Sequence, residues 1–283
     1  MKLLISLCFF ITSSFISVEL LAQEDQKIDQ SKWAYYGEEF YKTLSGKKSL
    51  EKIFLDSILN NYHISSRGRF DQVTPRCVSN CYRHTSVGYD QARKIMFGEL
   101  DKKTDYSGNF VLDVYCGKKF YFDNLNEVSS MHTEVNIEHT WPQSKFNGTF
   151  PKDMQKSDMH HLFLTDTLAN SMRGNSPFGV VGDVDDRMGG EGCYRSKMGF
   201  VKENVVYTPP ASHRGNVARA LFYFSSHYNL IIGSEEEGVL RRWHKEDPVD
   251  SAEIKRHETI AKYQKVRNPF IDHPELVDRI KDF

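Results

Sequence analysis

The 283-residue chain carries almost no net charge, since 37 Lys and Arg stand against 38 Asp and Glu to leave −1. That balance excludes a protein that holds nucleic acid through a uniformly cationic surface, which needs an obvious basic excess. A local basic face survives the exclusion, with Arg93-Lys94, Lys118-Lys119 and Arg241-Arg242 among its candidates. Beyond the first two dozen residues no apolar run approaches the roughly 20 residues of a membrane span. Internal repeats and low-complexity tracts are also missing, so a solenoid or a disordered tether is excluded. Cysteine is scarce, at five residues.

What is present points to an exported, folded protein. The opening "MKLLISLCFFITSSFISVELLAQ" has a lysine, an apolar run and a small residue near its end, the layout of a secretory signal cleaved after Ala22. Cys8 leaves with that signal, and the mature chain keeps Cys77, Cys81, Cys116 and Cys193. An even count in an oxidising compartment implies two disulfides, with three pairings open. A zinc site is the rival for Cys77 and Cys81, but the other two lack a short chelate spacing. With 39% hydrophobic and 13% aromatic residues, the chain can bury a substantial core.

Periodicity gives a mixed, helix-rich α+β reading. Residues 34–62 look largely helical, with Gly46 as an interruption and Leu50, Ile53, Phe54, Ile58 and Leu59 on one face. "YDQARKIMFGELD" places Ala92, Ile95, Met96 and Leu100 at helical spacing, and residues 109–122 read as strand, glycine turn, strand. A strand over 133–139 follows, then a short helix "TLANSMR" capped by Thr165-Asp166 and closed by Gly174. The span 175–215, rich in glycine and proline, reads as irregular. A helix in "NVARALFYFSSHYNL" shows Val217, Ala220, Leu221 and Phe224 on one face. Asp250 with Glu253 opens another to about Gln264, and Pro274 begins a last one over Glu275–Lys281.

The stretch "NIEHTWPQSKF" sets Glu138 beside His139 where Thr140-Trp141-Pro142 stops a strand. On a regular strand the two side chains would diverge, so they share a site only if the strand ends there. Downstream lie "SDMHHLFLTD", with Asp158, His160 and His161, and the short helix bearing Asn170 and Arg173. Glu138 and Asn170 offer oxygen ligands that suit a hard ion such as magnesium, leaving His139 to take a proton from water. A zinc site of His139, His160 and His161 is the chemical rival, weakened because adjacent histidines on an extended segment seldom share one ion. Asp158 reads as a brace for backbone or histidine, and Arg173 as a charge at a helix C-terminus.

Four segments then carry a resemblance: "EHTWPQSKF", "DMHHLFLTDTLANSMRGNSPFG", "RGNVARALFYF" and "RNPFIDHPEL", extended upstream by "ARKIMFGELD" and "VYCGKKF". In series they resemble the endonuclease I family of periplasmic and secreted bacterial nucleases. The resemblance implies a ββα-metal core and a single Mg²⁺ ion. It also implies non-specific cleavage of DNA and RNA to 5′-phosphate ends. It places the general base on His139, the metal ligands on Glu138 and Asn170, and a recurrent arginine of unassigned role on Arg219. Family members with a long insertion after the Glu-His strand carry a phosphate-binding arginine there. The connector from Trp141 to Ser157 is short and has none, which leaves Arg173, Lys145 or Lys152 for that task.

The resulting expectation is a signal over residues 1–22, a polar leader and first helix start over 23–44, and one catalytic domain over 45–283. The mature chain is expected to be monomeric and free of membrane, in the periplasm or outside the cell. Its different-class alternative is a secreted nucleic-acid-binding module of the same fold with little catalysis.

Overall fold

Gly46 ends the first helix, as the sequence suggests, but the chain does not resume a helix until Ile53. The computed structural model describes residues 32–46, 48–66, 70–126, 133–184, 193 and 195–283. The signal expected over 1–22 and residues 23–31 of the leader lie outside the described residues. Two compact units emerge. One takes the described residues up to 46 together with those of 61–82, and the other takes those of 48–60 with those of 83–283.

The first unit holds helix α1 (32–45) and a small antiparallel sheet. Strand β1 (Tyr62–Ile64) lies between β2 (Gln72–Thr74) and β3 (Cys81–Tyr82). Tyr62 is therefore strand, not the end of a helix, because its neighbours His63 and Ile64 find ladder partners in Val73 and Gln72. Cys77 and Cys81 are joined by a disulfide.

The second unit begins with α2 (Ile53–Leu59), which buries Leu55, Ile58 and Leu59. Ile53 departs from the expected face and is 65% exposed, while Leu50 precedes the helix and bridges to Ile280. Helix α3 (Tyr89–Ile95) passes into a wider turn over Met96–Leu100 and buries Ala92, Ile95 and Met96 as expected. An antiparallel sheet follows, β4 (Lys102–Asp105), β5 (Gly108–Leu112) and β6 (Lys119–Phe122). Gly117 turns the chain between the last two with φ +74°, a backbone that favours glycine.

The site rests on a two-stranded antiparallel sheet and one helix. Strand β7 (Val135–His139) pairs with β8 (Leu162–Asp166), with Glu138 opposite Phe163 and His139 opposite Leu162. Between them the connector forms a tight turn at Gln143–Lys145 and helix α4 (Lys152–Ser157). Helix α5 (Thr167–Arg173) follows β8 directly. Asp166 caps α5 by accepting a hydrogen bond from Ala169 N at 3.0 Å, and Gly174 closes it at φ +56°. Alternation does the sorting in the sheet. Val135, Ile137, Leu162 and Leu164 join the core of Ala92, Phe97, Val111 and Ile260, which leaves Asn136 and Glu138 on the other face.

The span read as irregular contains a hairpin of β10 (Lys197–Val201) and β11 (Asn204–Thr208), flanked by β9 (Asp183–Val184). Gly199 and Lys197 interrupt its apolar alternation, so strand periodicity is faint there, yet Val206 and Tyr207 are core residues. The second disulfide ties Cys116 to Cys193. All four cysteines are thus paired, which removes the zinc alternative for them.

Four helices complete the unit. Helix α6 (Arg214–Tyr228) buries thirteen of its fifteen residues, so it is a central helix and not the one-faced helix its spacing suggests. Helix α7 (Ser234–Glu246) arises where the sequence reading places none, since Gly238 and three leading glutamates mask its buried Leu240 and Trp243. Asp250 caps α8 (Ser251–Gln264) through Glu253 N at 2.8 Å. After α9 (Pro269–Asp272), a tight turn over Pro274–Asp278 takes the place of the expected last helix.

Candidate active site

Glu138, His139 and Asn170 line one open cavity of about 300 Å³, with Tyr89, Gln143 and Asn175 on its walls. Neighbours on a strand, Glu138 and His139 nonetheless both line this cavity, with His139 the last residue of β7. Asn170 reaches the same cavity from the middle of α5.

His139 is held in one tautomer. Its Nε2 lies 3.1 Å from the carbonyl oxygen of Lys156, which can only accept, so Nε2 carries the proton. Nδ1 is then the lone-pair nitrogen, and Gln143 Nε2 approaches it at 3.4 Å. Tyr89 stacks on the imidazole at 5.7 Å. Burial lowers the His139 pKa to about 3, with His161 adding to the shift and the hydrogen bond to the Lys156 carbonyl opposing it, so the ring is neutral at physiological pH.

Glu138 is 2% exposed. Its Oε1 accepts from Tyr115 Oη at 2.8 Å and pairs with Arg173 Nη1 at 3.0 Å. Burial raises the carboxyl pKa, while Arg173 and Tyr115 oppose the rise. With both contacts on Oε1, Oε2 is the oxygen left for the cavity. Asn170 Nδ2 donates to Ile137 O at 3.2 Å, which turns Oδ1 the other way. One carboxylate and one amide oxygen on an open cavity form a donor set that fits a hard divalent cation.

Arg173 does not face the cavity. It is 2% exposed, donates to His139 O at 3.1 Å and Thr140 O at 2.8 Å, and lies over the Phe178 ring. Arg219 is not brought to the site at all. It forms a bidentate pair with Glu253 at 2.8 and 2.6 Å and donates to Asp247 O. Lys145 and Lys152 are exposed on the connector, on the Gln143–Lys145 turn and the first position of α4.

The histidines of "SDMHHLFLTD" take structural places. His160 Nε2 donates to Val266 O and His161 Nε2 to Gln155 O, so they do not join His139 around one ion. Asp158 braces backbone as expected, accepting from His160 N at 3.1 Å, and also accepts from the Tyr223 and Tyr228 hydroxyls, each at 2.9 Å. Two further groups gather potential ligand atoms, His84 with Asp158 and His227, and His257 with Glu258 and Asp272. Neither lines the cavity, and both are closed by hydrogen bonds, His84 to His227 in one and Arg267 to both carboxylates in the other.

The profile of the family described as Endonuclease I matches residues 70–275. The chain belongs to the endonuclease I family. It is 37% identical over 216 residues to an extracellular ribonuclease of Bacillus subtilis, covering 70% of this chain and 69% of the relative. An extracellular deoxyribonuclease of Aeromonas hydrophila is 32% identical over 117 residues, 41% of this chain and 49% of the relative. A protein called Endonuclease-1 from Buchnera aphidicola is 28% identical over 116 residues, 41% and 44% of the two chains.

In this endonuclease I family chain the β7–β8–α5 unit is the expected ββα arrangement, two antiparallel strands and then a helix. Gln143 on the cavity wall, and Tyr115 and Lys156 behind Glu138 and His139, escape the sequence reading. Tyr115 sits in "VYCGKKF", a motif that marks the family without indicating that its hydroxyl bonds Glu138. Gln143 stands four residues past His139 in "EHTWPQSKF", and Lys156 closes α4 behind the imidazole. Only a three-dimensional contact assigns them.

Proposed function

We propose that the chain is an exported, metal-dependent endonuclease that hydrolyses phosphodiester bonds of DNA and RNA, using Mg²⁺ and leaving 5′-phosphate ends. The observation that carries this reading is the convergence of Glu138, Asn170 and a neutral His139 on one cavity. The family supports hydrolysis of nucleic acid. The ribonuclease relatives align over 70% of this chain and the deoxyribonucleases over about 41%, which supports acceptance of both polymers. No helix among the described residues is long and apolar enough to cross a membrane.

His139 acts as the general base through Nδ1. The Lys156 carbonyl keeps the proton on Nε2, so the nitrogen facing the cavity is ready to take one from water. A bound phosphodiester anion favours the imidazolium and draws the lowered pKa back toward neutrality. Gln143, whose Nε2 approaches Nδ1 at 3.4 Å, yields that lone pair to the attacking water. Glu138 and Asn170 would hold the cation, and Tyr115 and Arg173 fix the Glu138 carboxylate so that one oxygen stays directed into the cavity. Bound Mg²⁺ supplies stabilisation of the developing charge and of the leaving 3′-oxygen. The residues lining the cavity all belong to one compact unit, and the chain is proposed to act as a monomer.

The test is digestion of plasmid DNA and of a structured RNA by the folded mature chain, with Mg²⁺ and with EDTA. Cleavage with Mg²⁺ only, and ends that a ligase joins without kinase treatment, are the expected results. A chain that binds both polymers and cuts neither would establish the binding-module alternative.

A further inference from the structure

A phosphodiester entering the cavity meets the Glu138 carboxylate, so its own charge needs a positive partner nearby. The buried arginines do not supply one. Arg173 is spent on Glu138, Arg219 on Glu253, and Arg267 on Glu258 and Asp272. Lys118, near the start of α5, pairs with Asp166 at 2.8 Å.

Lys156 differs from all of these. Its ammonium has no carboxylate and no hydrogen-bond acceptor among the described residues, and lies 4.3 Å from the centroid of Tyr89. Tyr89 is itself a wall of the cavity and stacks on His139. The same residue's backbone oxygen fixes the His139 tautomer, so the cation and the base are set by one turn of α4. An aromatic face holds an exposed ammonium more weakly than a charge-assisted hydrogen bond to phosphate oxygen does. The resting contact therefore parks the side chain without trapping it.

We propose that the Lys156 ammonium is the cation that binds the substrate phosphate at this cavity, released from Tyr89 when nucleic acid enters. Lys152, one helical turn earlier on the same face of α4, extends the positive edge toward solvent. This assignment rests on the nuclease reading above. It makes Lys156 a substrate-binding residue and removes Arg173 from that role.

Because only the side chain is invoked, Lys156→Met and Lys156→Gln leave the backbone oxygen that orients His139 in place. Binding of a labelled DNA duplex is measured in EDTA from 50 to 300 mM NaCl for wild type, both variants and Lys156→Arg. Loss of one phosphate contact lowers the slope of log K against log salt by about 0.9, with several-fold weaker binding at low salt, and arginine restores both. In Mg²⁺ the neutral variants should raise KM far more than they lower kcat. Wild-type slope and affinity in both neutral variants would overturn the role of Lys156 while leaving the nuclease reading intact. A wild-type chain that neither binds nor cuts nucleic acid overturns both.

Discussion

Arg173 Nη1 stands 3.0 Å from Glu138 Oε1 with both side chains 2% exposed, so the carboxylate at the centre of the cavity is neutralised from behind by the helix that also carries Asn170. The arginine's other hydrogen bonds, to His139 O and Thr140 O, fasten the break in the strand. One side chain thus sets both the charge of Glu138 and the path of the chain beyond it.

Arg173→Ala should act on the fold before it acts on substrate. Removing one partner of a buried ion pair leaves the other charge stranded, at a cost of about 3–5 kcal/mol. Urea unfolding should show a loss of that order. The salt slope of DNA binding, measured where the variant is still folded, should be unchanged. A stable variant with a reduced slope would return Arg173 to the phosphate.

The two disulfides should differ in weight. Cys116–Cys193 spans 77 positions and Cys77–Cys81 spans 4. Chain entropy alone gives roughly 4–5 kcal/mol for the long loop and about 2 for the short one. Cys116→Ser with Cys193→Ser should therefore lower the unfolding midpoint more than the corresponding change at Cys77 and Cys81. Equal losses would contradict the ranking. In the exported wild type no thiol should react with an alkylating agent.

Acid should unfold the chain early. Burial lowers the pKa of His160 and His213 to about 3 and of His161 to about 4, all from an ordinary 6.5. Below pH 6.5 the unfolded chain takes up these protons while the folded chain does not, so stability falls as pH falls from 6.5 toward 3–4. Each such histidine contributes about 1.4 kcal/mol per pH unit inside that window. Asp158, held below the usual carboxylate range by His84, His160 and His227 against the upward push of burial, adds a loss in the same direction at lower pH. Denaturant midpoints measured from pH 8 to 4 should be level above about 7 and drop steeply below 6. A level response down to pH 5 would contradict the buried, neutral histidines.

The sequence made the site unusually legible where local chemistry decides geometry. Proline after Trp141 lies just past the end of β7 at His139, and Asp166 and Gly174 bound α5, so the strand end carrying Glu138 and His139 and the helix carrying Asn170 were legible. Arginine roles were not legible in this way. Arg173 and Arg219 each sit on a helix where charge suggests solvent or phosphate, and each turns out to neutralise a buried glutamate brought from a distant position. The hairpin β10–β11 escaped because Gly199 and Lys197 blur its alternation, and α7 because only tertiary packing buries Leu240 and Trp243. Long-range contacts leave no local period to read.

The central claim is that Glu138 holds the ion and His139 moves the proton, although they are neighbours in sequence. It is tested most directly by Mg²⁺ titration of plasmid cleavage for His139→Ala, Glu138→Ala and Asn170→Ala, each checked for folding. His139→Ala should lose roughly 10²–10⁴-fold in rate at every Mg²⁺ concentration. Glu138→Ala should recover in part at high Mg²⁺, and Asn170→Ala should recover further, since a neutral amide contributes less to the ion. Rescue of His139→Ala by Mg²⁺, with no rescue of Glu138→Ala, would contradict the account and reverse the two roles.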